Sequence, residues 1–283
     1  MAVEPLPPAI RENGGTSISL GEEDRQFTIN NLVSGRYIVS VDGFVLPDRK
    51  RWGGWQEIDL TDSNLDDIQI KAFPSHDLVG RVQPIGGKKL DSPHLQVGLE
   101  PHGNLAYGET FANVNADGSF LLFDMKQDTY DIDVHGLPEG YYLKSARFGN
   151  IDAIEEVRNG GEPPTLPLVL EASSAGGQID GIVQMANGKS ACKATVVLIP
   201  DAYHHSVHRY YQETEVDRFG HFALRGITPG AYKLFAFDDA DEVGYRDPGS
   251  LQPYENQGRP AQIGEGEHRT IELKLIPTGK KSP

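Results

Sequence analysis

Apolar and polar positions alternate along this chain in one arrangement that recurs three times. Phe27, Phe120 and Phe222 each stand ten residues before a tyrosine, Tyr37, Tyr130 and Tyr232. Each block has an apolar residue two places after the Phe (Ile29, Leu122, Leu224) and another five places after it (Leu32, Met125, Ile227). Each tyrosine then opens an alternating run: Tyr37-x-Val39-x-Val41, Tyr130-x-Ile132-x-Val134 and Tyr232-x-Leu234-x-Ala236. A side chain on the same face at every second residue marks a half-buried strand. Turn residues separate the two runs, Ser34-Gly35 in the first block and Pro229-Gly230 in the third. Strand, short turn and strand predict a β-hairpin. Three similar blocks roughly a hundred residues apart predict three similar units in tandem.

Further strands fall into place around these blocks. The second and third units open with Gly-Xaa-Val segments, Leu78-Val79-Gly80-Arg81-Val82 and Ile179-Asp180-Gly181-Ile182-Val183. A second strand aligns in both, Val97-Gly98-Leu99-Glu100-Pro101 and Val196-Val197-Leu198-Ile199-Pro200, with Val3-Glu4-Pro5 as a weaker counterpart in the first. Ile58-x-Leu60, Ile68-x-Ile70, Tyr141 to Gly149, Leu166-x-Leu168-x-Leu170 and Ile271-x-Leu273-x-Leu275 predict further strands. No window sustains helical periodicity, and one helical turn is expected near Pro248 to Glu255. The fold class is therefore all-β: a tandem array of three Ig-like or transthyretin-like Greek-key sandwiches. Their expected bounds are 1–74, 78–172 and 178–277, with 278–283 as a tail. The first is expected to lack its opening strand, since that position would precede Met1. Trimming of a longer polypeptide is the simpler account; a strand donated by another chain, head to tail into a filament, is the sharper one.

Composition narrows the class. With 32 Gly and 19 Pro but 38% hydrophobic residues, the chain fits many short strands and turns rather than disorder. The formal charge of -15, from 41 acidic and 26 basic residues, repels phosphate backbones and argues against nucleic acid and anionic membranes as partners. One cysteine, Cys192, excludes an intrachain disulfide; ahead of a predicted strand, it reads as a small buried or edge residue. There is no apolar run long enough to span a bilayer, and Met1-Ala-Val-Glu-Pro offers neither the basic nor the apolar region expected of a signal peptide, as in a cytosolic protein or a piece of a longer precursor.

Gly-Xaa-Val, then Val-x-Leu-x-Pro, then Asp217-Arg218-Phe219-Gly220-His221-Phe222-Ala223-Leu224, then Pro229-Gly230-Ala231-Tyr232 resembles the bacterial carboxypeptidase regulatory-like domain. That family is transthyretin-like and related to Cna-B-like and starch-binding-like folds. The match is closest over Asp217 to Tyr232, weaker in the second unit, and incomplete in the first. The resemblance implies an exported or cell-envelope protein, of which this would be a C-terminal part, and it supplies no catalytic residues. Cna-B relatives can carry a Lys–Asn isopeptide bond, which this chain is not expected to form: Arg81 and Ile182 stand in the Gly-Xaa-Val strands where a lysine would be needed.

Candidate chemistry is sparse. His204, Ser206 and His208 would share one face of an extended strand near Asp201, which makes His204, His208 and Asp201 a weak metal-site candidate beside the plainer reading as a solvated loop. Asp238-Asp239-Ala240-Asp241-Glu242 lacks the spacing of a helix-loop-helix calcium site. Trp52 and Trp55, in a basic and aromatic loop around Gly53-Gly54, are the best candidates for stacking on a sugar ring. Tyr141, Tyr142, Tyr210 and Tyr211 are weaker ones, and all six read more simply as cover for core edges or lining for unit junctions. No nucleophile elbow or phosphate-binding loop is present. The expected function is a non-catalytic structural or adhesive module with no cofactor, its partners being other protein domains or copies of itself. Carbohydrate binding is the runner-up, and an accessory region of an exported peptidase or outer-membrane receptor the third reading.

Overall fold

Strand pairing sorts the chain into three stretches. The computed structural model describes residues 2–5, 16–17, 26–45, 50–61, 63–85, 90–102, 109–160, 162–201 and 207–278. The first stretch holds β1 (Ala2–Pro5), β2 (Thr16–Ser17), β3 (Gly35–Val45), β4 (Lys50–Leu60) and β5 (Phe73–Pro74), in one sheet of order β2-β1-β3-β4-β5. The second holds β6 (His76–Pro84), β7 (Gln96–Pro101), β8 (Thr110–Asn113), β9 (Ser119–Met125), β10 (Asp128–His135), β11 (Tyr142–Phe148), β12 (Ile151–Asp152), β13 (Val157–Asn159) and β14 (Leu168–Ser173). These form two sheets, β13-β10-β7-β8 and β12-β11-β14-β6-β9.

The third stretch holds β15 (Gly177–Gln184), β16 (Thr195–Pro200), β17 (Gln212–Glu215), β18 (His221–Ile227), β19 (Gly230–Phe237), the one-turn helices α1 (Ala240–Val243) and α2 (Pro248–Leu251), β20 (Arg259–Ile263) and β21 (His268–Ile276). Here β21 runs parallel to β15 from His268 to Lys274 and then beside β19 at Leu275 and Ile276, so one strand joins both layers. By packing, the chain divides into two compact units. One comprises Met1–Val82, His94–His135 and Ser145–Leu170; the other comprises Gln83–Pro93, Gly136–Lys144 and Glu171–Pro283.

The fold is all-β, as the alternation predicts, but the recurring Phe–Tyr block is not a hairpin. β9 carries Phe120 and pairs with β6, whereas β10 carries Tyr130 and pairs with β7 and β13. Likewise β18 carries Phe222 and pairs with β15, whereas β19 carries Tyr232 and pairs with β16 and β20. The turn therefore crosses from one layer to the other. The tyrosine explains why. Its ring is buried at the start of the second strand, and its hydroxyl donates to the carbonyl four residues upstream: Tyr37 to Val33 at 2.7 Å, Tyr130 to Lys126 at 2.9 Å, Tyr232 to Thr228 at 2.7 Å. A buried hydroxyl needs an acceptor, and the crossing peptide supplies it. Burial pushes the Tyr130 and Tyr232 hydroxyls well above the usual tyrosine range, so they remain donors.

The Gly-Xaa-Val strands have an equally local cause. Gly80 lies directly opposite Phe120, and Gly181 opposite Phe222. A Cβ on Gly80 would sit 2.6 Å from Phe120 Cε1, and one on Gly181 would sit 2.5 Å from Phe222 Cε1. The ring lies flat over the cross-strand glycine, filling the space a side chain would take. In the first stretch no described strand pairs with the Phe27 segment. Residues 26–33, which carry Phe27, form no strand. Phe27, Ile29 and Leu32 instead pack as irregular chain on Tyr37 and Val39, with Ile58, Leu60 and Ile70. The expected strand at Ile68–Ile70 is likewise irregular: Ile70 is anchored by packing, without a ladder partner. Among its described residues the first stretch is thus one sheet with an irregular cover.

The third stretch has two cores. One lies between the layers and gathers Ile179, Val183, Val196, Leu198, Phe222, Leu224, Tyr232, Leu234 and Leu273. The other lies on the opposite face of β16 and β19, where Val197, Ile199, Phe235 and Phe237 meet Val243, Tyr245 and Leu251 from the helical segment. Phe235 and Phe237 stack with centroids 5.7 Å apart, and Tyr254 meets Phe237 edge-on at 5.3 Å. Cys192 is exposed, correcting the expectation of a buried or edge position; its neighbours Ala191 and Ala194 take the buried places.

Gly80→Ala is expected to cost about 1–3 kcal/mol, because the new methyl group meets a ring that is itself packed. In a Phe120→Leu background the penalty should shrink, giving a coupling of about 0.5–3 kcal/mol in a double-mutant cycle by urea denaturation. Additive effects would show that the ring does not hold this glycine.

Candidate functional site

The tryptophans lie in a strand, not in a loop. β3 and β4 form an uninterrupted ladder from Gly35 opposite Leu60 to Val45 opposite Lys50, the long hairpin of this chain. Trp52 stands opposite Gly43 and Trp55 opposite Ser40, so the odd spacing puts the two indoles on opposite faces. Gly53 and Gly54 permit this because neighbours press on them. A Cβ on Gly54 would run into the Lys71 carbonyl, and one on Gly53 would lie 2.8 Å from Lys126 Cδ. Lys126 continues to Asp42, with Nζ 2.8 Å from Oδ1 and side chains only 13% and 16% exposed. Arg51 approaches both Asp42 and Asp124 at 3.9 Å. The basic cluster beside the tryptophans is thus engaged by carboxylates of its own unit.

Trp52 and Trp55 differ in surroundings. The Trp52 indole nitrogen is buried with no hydrogen-bond acceptor among the described residues. Trp55 lines an open cleft of about 510 Å³ within the first unit. Phe73 adds a second ring, and Gln56, Gln69, Gln127 and Asn159 bring four side-chain amides. Lys71, Asp128 and Arg158 add charge to the same lining.

Three of the remaining aromatic candidates, Tyr142, Tyr210 and Tyr211, are buried. Tyr142 is buried, and its hydroxyl donates to Glu265 at 3.3 Å. Tyr210 is buried beneath the Arg209 guanidinium, 4.5 Å from its ring centroid. Tyr211 lies against Tyr245, centroids 6.4 Å apart, and burial pushes its hydroxyl up to about 12. The backbone N–H of Tyr141 donates to Pro138.

Of the metal candidates, His208 does not lie in a strand. His208 begins a 3₁₀ turn, His208–Tyr210, whose carbonyl accepts from Tyr211 at 3.0 Å. Asp201 is exposed, and its N–H donates to Ala231 at 3.0 Å. His204 lies outside the described residues. Among the described residues no group of three or more His, Cys, Asp or Glu side chains converges as a metal site. The acidic run at 238–242 works as a cap: Asp239 accepts from Glu242 N–H at the start of α1, and Asp238 accepts from the N–H and hydroxyl of Thr278 at 2.8 and 2.9 Å.

Two ion-pair nodes stand out in the second unit. Asp180 on β15 accepts from Arg225 on β18 at 2.6 Å and meets His268 on β21 at 2.5 Å, tying three neighbouring strands. Glu265 accepts from Lys144 at 2.5 Å, Tyr142 at 3.3 Å and Ser173 at 3.4 Å. The Arg225 guanidinium holds the Asp180 carboxyl below the usual range, and Lys144 does the same for Glu265.

No family model matches this chain, and no curated protein matches it. Solved structures similar to it include a streptococcal ancillary pilin, at 11% identity and a TM-score of 0.29 over 86% of this chain and 76% of that one. Another is GBS52, the minor pilin of Streptococcus agalactiae, at 13% and 0.30 over 74% of this chain and all of that one. A third is the Bacillus anthracis TIE protein, at 10% and 0.25; 80% of this chain is matched, spanning 41% of that protein. No helix among the described residues is long and apolar enough to cross a membrane.

A carboxylate whose folded pKa is depressed stabilises the fold above its unfolded pKa, and that contribution is lost as pH falls through the folded value. Asp180→Asn should therefore be less stable than the parent at neutral pH, and the gap should close as the solution is acidified below the carboxylate range. Parallel urea melts across pH test this; a gap independent of pH would show that the charge on Asp180 is immaterial.

Proposed function

We propose that this chain is a non-catalytic structural segment acting outside the cytoplasm, in a secreted or cell-envelope protein. It is built of tandem β units over 1–74, 78–172 and 178–277. The observation that carries this reading is the threefold tyrosine anchor, together with the confinement of every strand pair among the described residues to one of the three stretches. An array of this kind supplies length and surface, and its polar side chains serve its own architecture. Lys126 against Asp42, Glu265 against Lys144 and Asp239 at the start of α1 all consume charge in holding the fold. The expected partners are other protein domains or further copies of the chain, as in a filament.

Pulling a single molecule by its ends should give separate unfolding events. Each complete unit of about 100 residues should release on the order of 330 Å of extended chain. A single event for the whole chain would overturn the tandem reading.

A second reading, carbohydrate binding, is favoured by one observation: the cleft in which Trp55 and Phe73 stand among four amides. On a glycan array the parent should retain saccharides that the Trp55→Ala variant releases. Trp52→Ala should behave as the parent, since its indole faces the other side of the sheet. Equal signals from parent and Trp55→Ala would remove this reading.

A further inference from the structure

A second groove, of about 730 Å³, opens in the first unit where the edges of two sheets come together. β12 ends one sheet and β13 ends the other. The floor is apolar and buried: Leu78, Met125, Ala153 and Val157. Ile151 and Leu166 stand at its sides and are 70% and 52% exposed. The rim is acidic. Asp152, Glu155, Glu156 and Glu162 line it, four carboxylates beside the one guanidinium of Arg158 in the lining; Glu156 binds that guanidinium, and Asp152 accepts from the Ile154 N–H at 3.0 Å. A terminal strand also presents a row of backbone donors and acceptors on its outer side, the template on which another strand can add.

These three features point to one occupant. An apolar floor between two sheet edges takes side chains from an extended chain, alternate residues pointing in. A rim of four carboxylates takes basic side chains from the residues between. We propose that this groove docks an extended peptide segment of alternating apolar and basic residues, added as a strand along β13. A second copy of this chain is a poorer occupant as a whole, because each copy carries a net charge of -15. The proposal stands whether or not the structural reading above is correct, since it rests on the groove alone.

The test uses the full chain and three octapeptides, alternating Val-Lys, Val-Glu and Gly-Lys, titrated by calorimetry. Val-Lys should bind about tenfold or more tighter than either of the others, and more weakly as salt is raised. Tighter binding than Gly-Lys reports the apolar floor, and tighter binding than Val-Glu reports the rim. Reversing Glu155 and Glu162 to lysine should transfer the preference to Val-Glu. Reversing Asp66 and Asp67, exposed elsewhere in the same unit, should leave it unchanged, which separates the local rim from the overall negative charge. An Ile151→Ser, Leu166→Ser variant, altered only at exposed positions, should lose affinity with its melting curve intact. Equal binding of Val-Lys and Gly-Lys, an unchanged preference after rim reversal, or no binding of Val-Lys would each overturn the proposal.

Discussion

The bond from a buried tyrosine hydroxyl to the carbonyl four residues upstream sets the geometry of this chain. It occurs at Tyr37, Tyr130 and Tyr232, each time where the backbone leaves one strand or irregular segment and enters the next layer. Burying the ring contributes apolar area, yet the hydroxyl that comes with it would cost more than the bond returns if left unpaired. The crossing peptide must therefore pass within reach of that oxygen, which limits how the two runs can be arranged. With the crossing fixed, the preceding Phe faces the interior from one layer while the Tyr run faces it from the other. The interior of each complete pair of sheets is assembled around that opposition.

Much of this was legible in the residues. The alternating runs, the Gly-Xaa-Val strands and the Val-x-Leu-x-Pro strands all occur as strands where the pattern places them. The partner of each run was not legible. Ten residues from Phe to Tyr with a short turn between them suit a hairpin and an interlayer crossing equally well, because alternation reports which residues face inward and not which sheet they belong to. The cue that could have decided it is the tyrosine: a polar ring at an inward position needs an acceptor nearby, and a carbonyl of the turn is the nearest. The second core of the third stretch had a cue as well. Val196-Val197-Leu198-Ile199-Pro200 is apolar at both parities, as is Leu234-Phe235-Ala236-Phe237, and a strand covered on both faces reads this way. Its cover, one-turn helices capped by Asp239 and Asp247, is too short to leave a helical period.

The site residues were harder to place for a different reason. Trp52 and Trp55 sit among Arg51, Gly53 and Gly54, a composition that suggests a loop, because glycine and charge are rare in strand interiors. Here the glycines answer to crowding: the Lys71 carbonyl lies over Gly54 and the Lys126 stem over Gly53. No pattern within the strand could disclose neighbours that arrive from so far along the chain. The same holds for the groove at β12 and β13. Its apolar floor draws Leu78 and Met125 from one part of the sequence and Val157 from another, and its acidic rim reads in isolation as an ordinary solvated stretch.

The charge balance then acquires a structural meaning. A net charge of -15 would weaken a compact chain through self-repulsion if its carboxylates were merely scattered. Many are placed where a donor meets them. Asp217 accepts from the N–H groups of Phe219 and His221, Glu267 from Gly264 N–H and Arg269, and Asp117 from Ser119. Each of these carboxyls is held below its ordinary range, chiefly by those hydrogen bonds. Turns rich in Gly, Asn and Asp leave backbone N–H groups exposed between short strands, and carboxylates satisfy them more strongly than neutral side chains do. An all-β chain with this many turns gains from an acidic composition for that reason. The same kind of bond occurs at the rim of the β12–β13 groove, where Asp152 accepts from the Ile154 N–H at 3.0 Å.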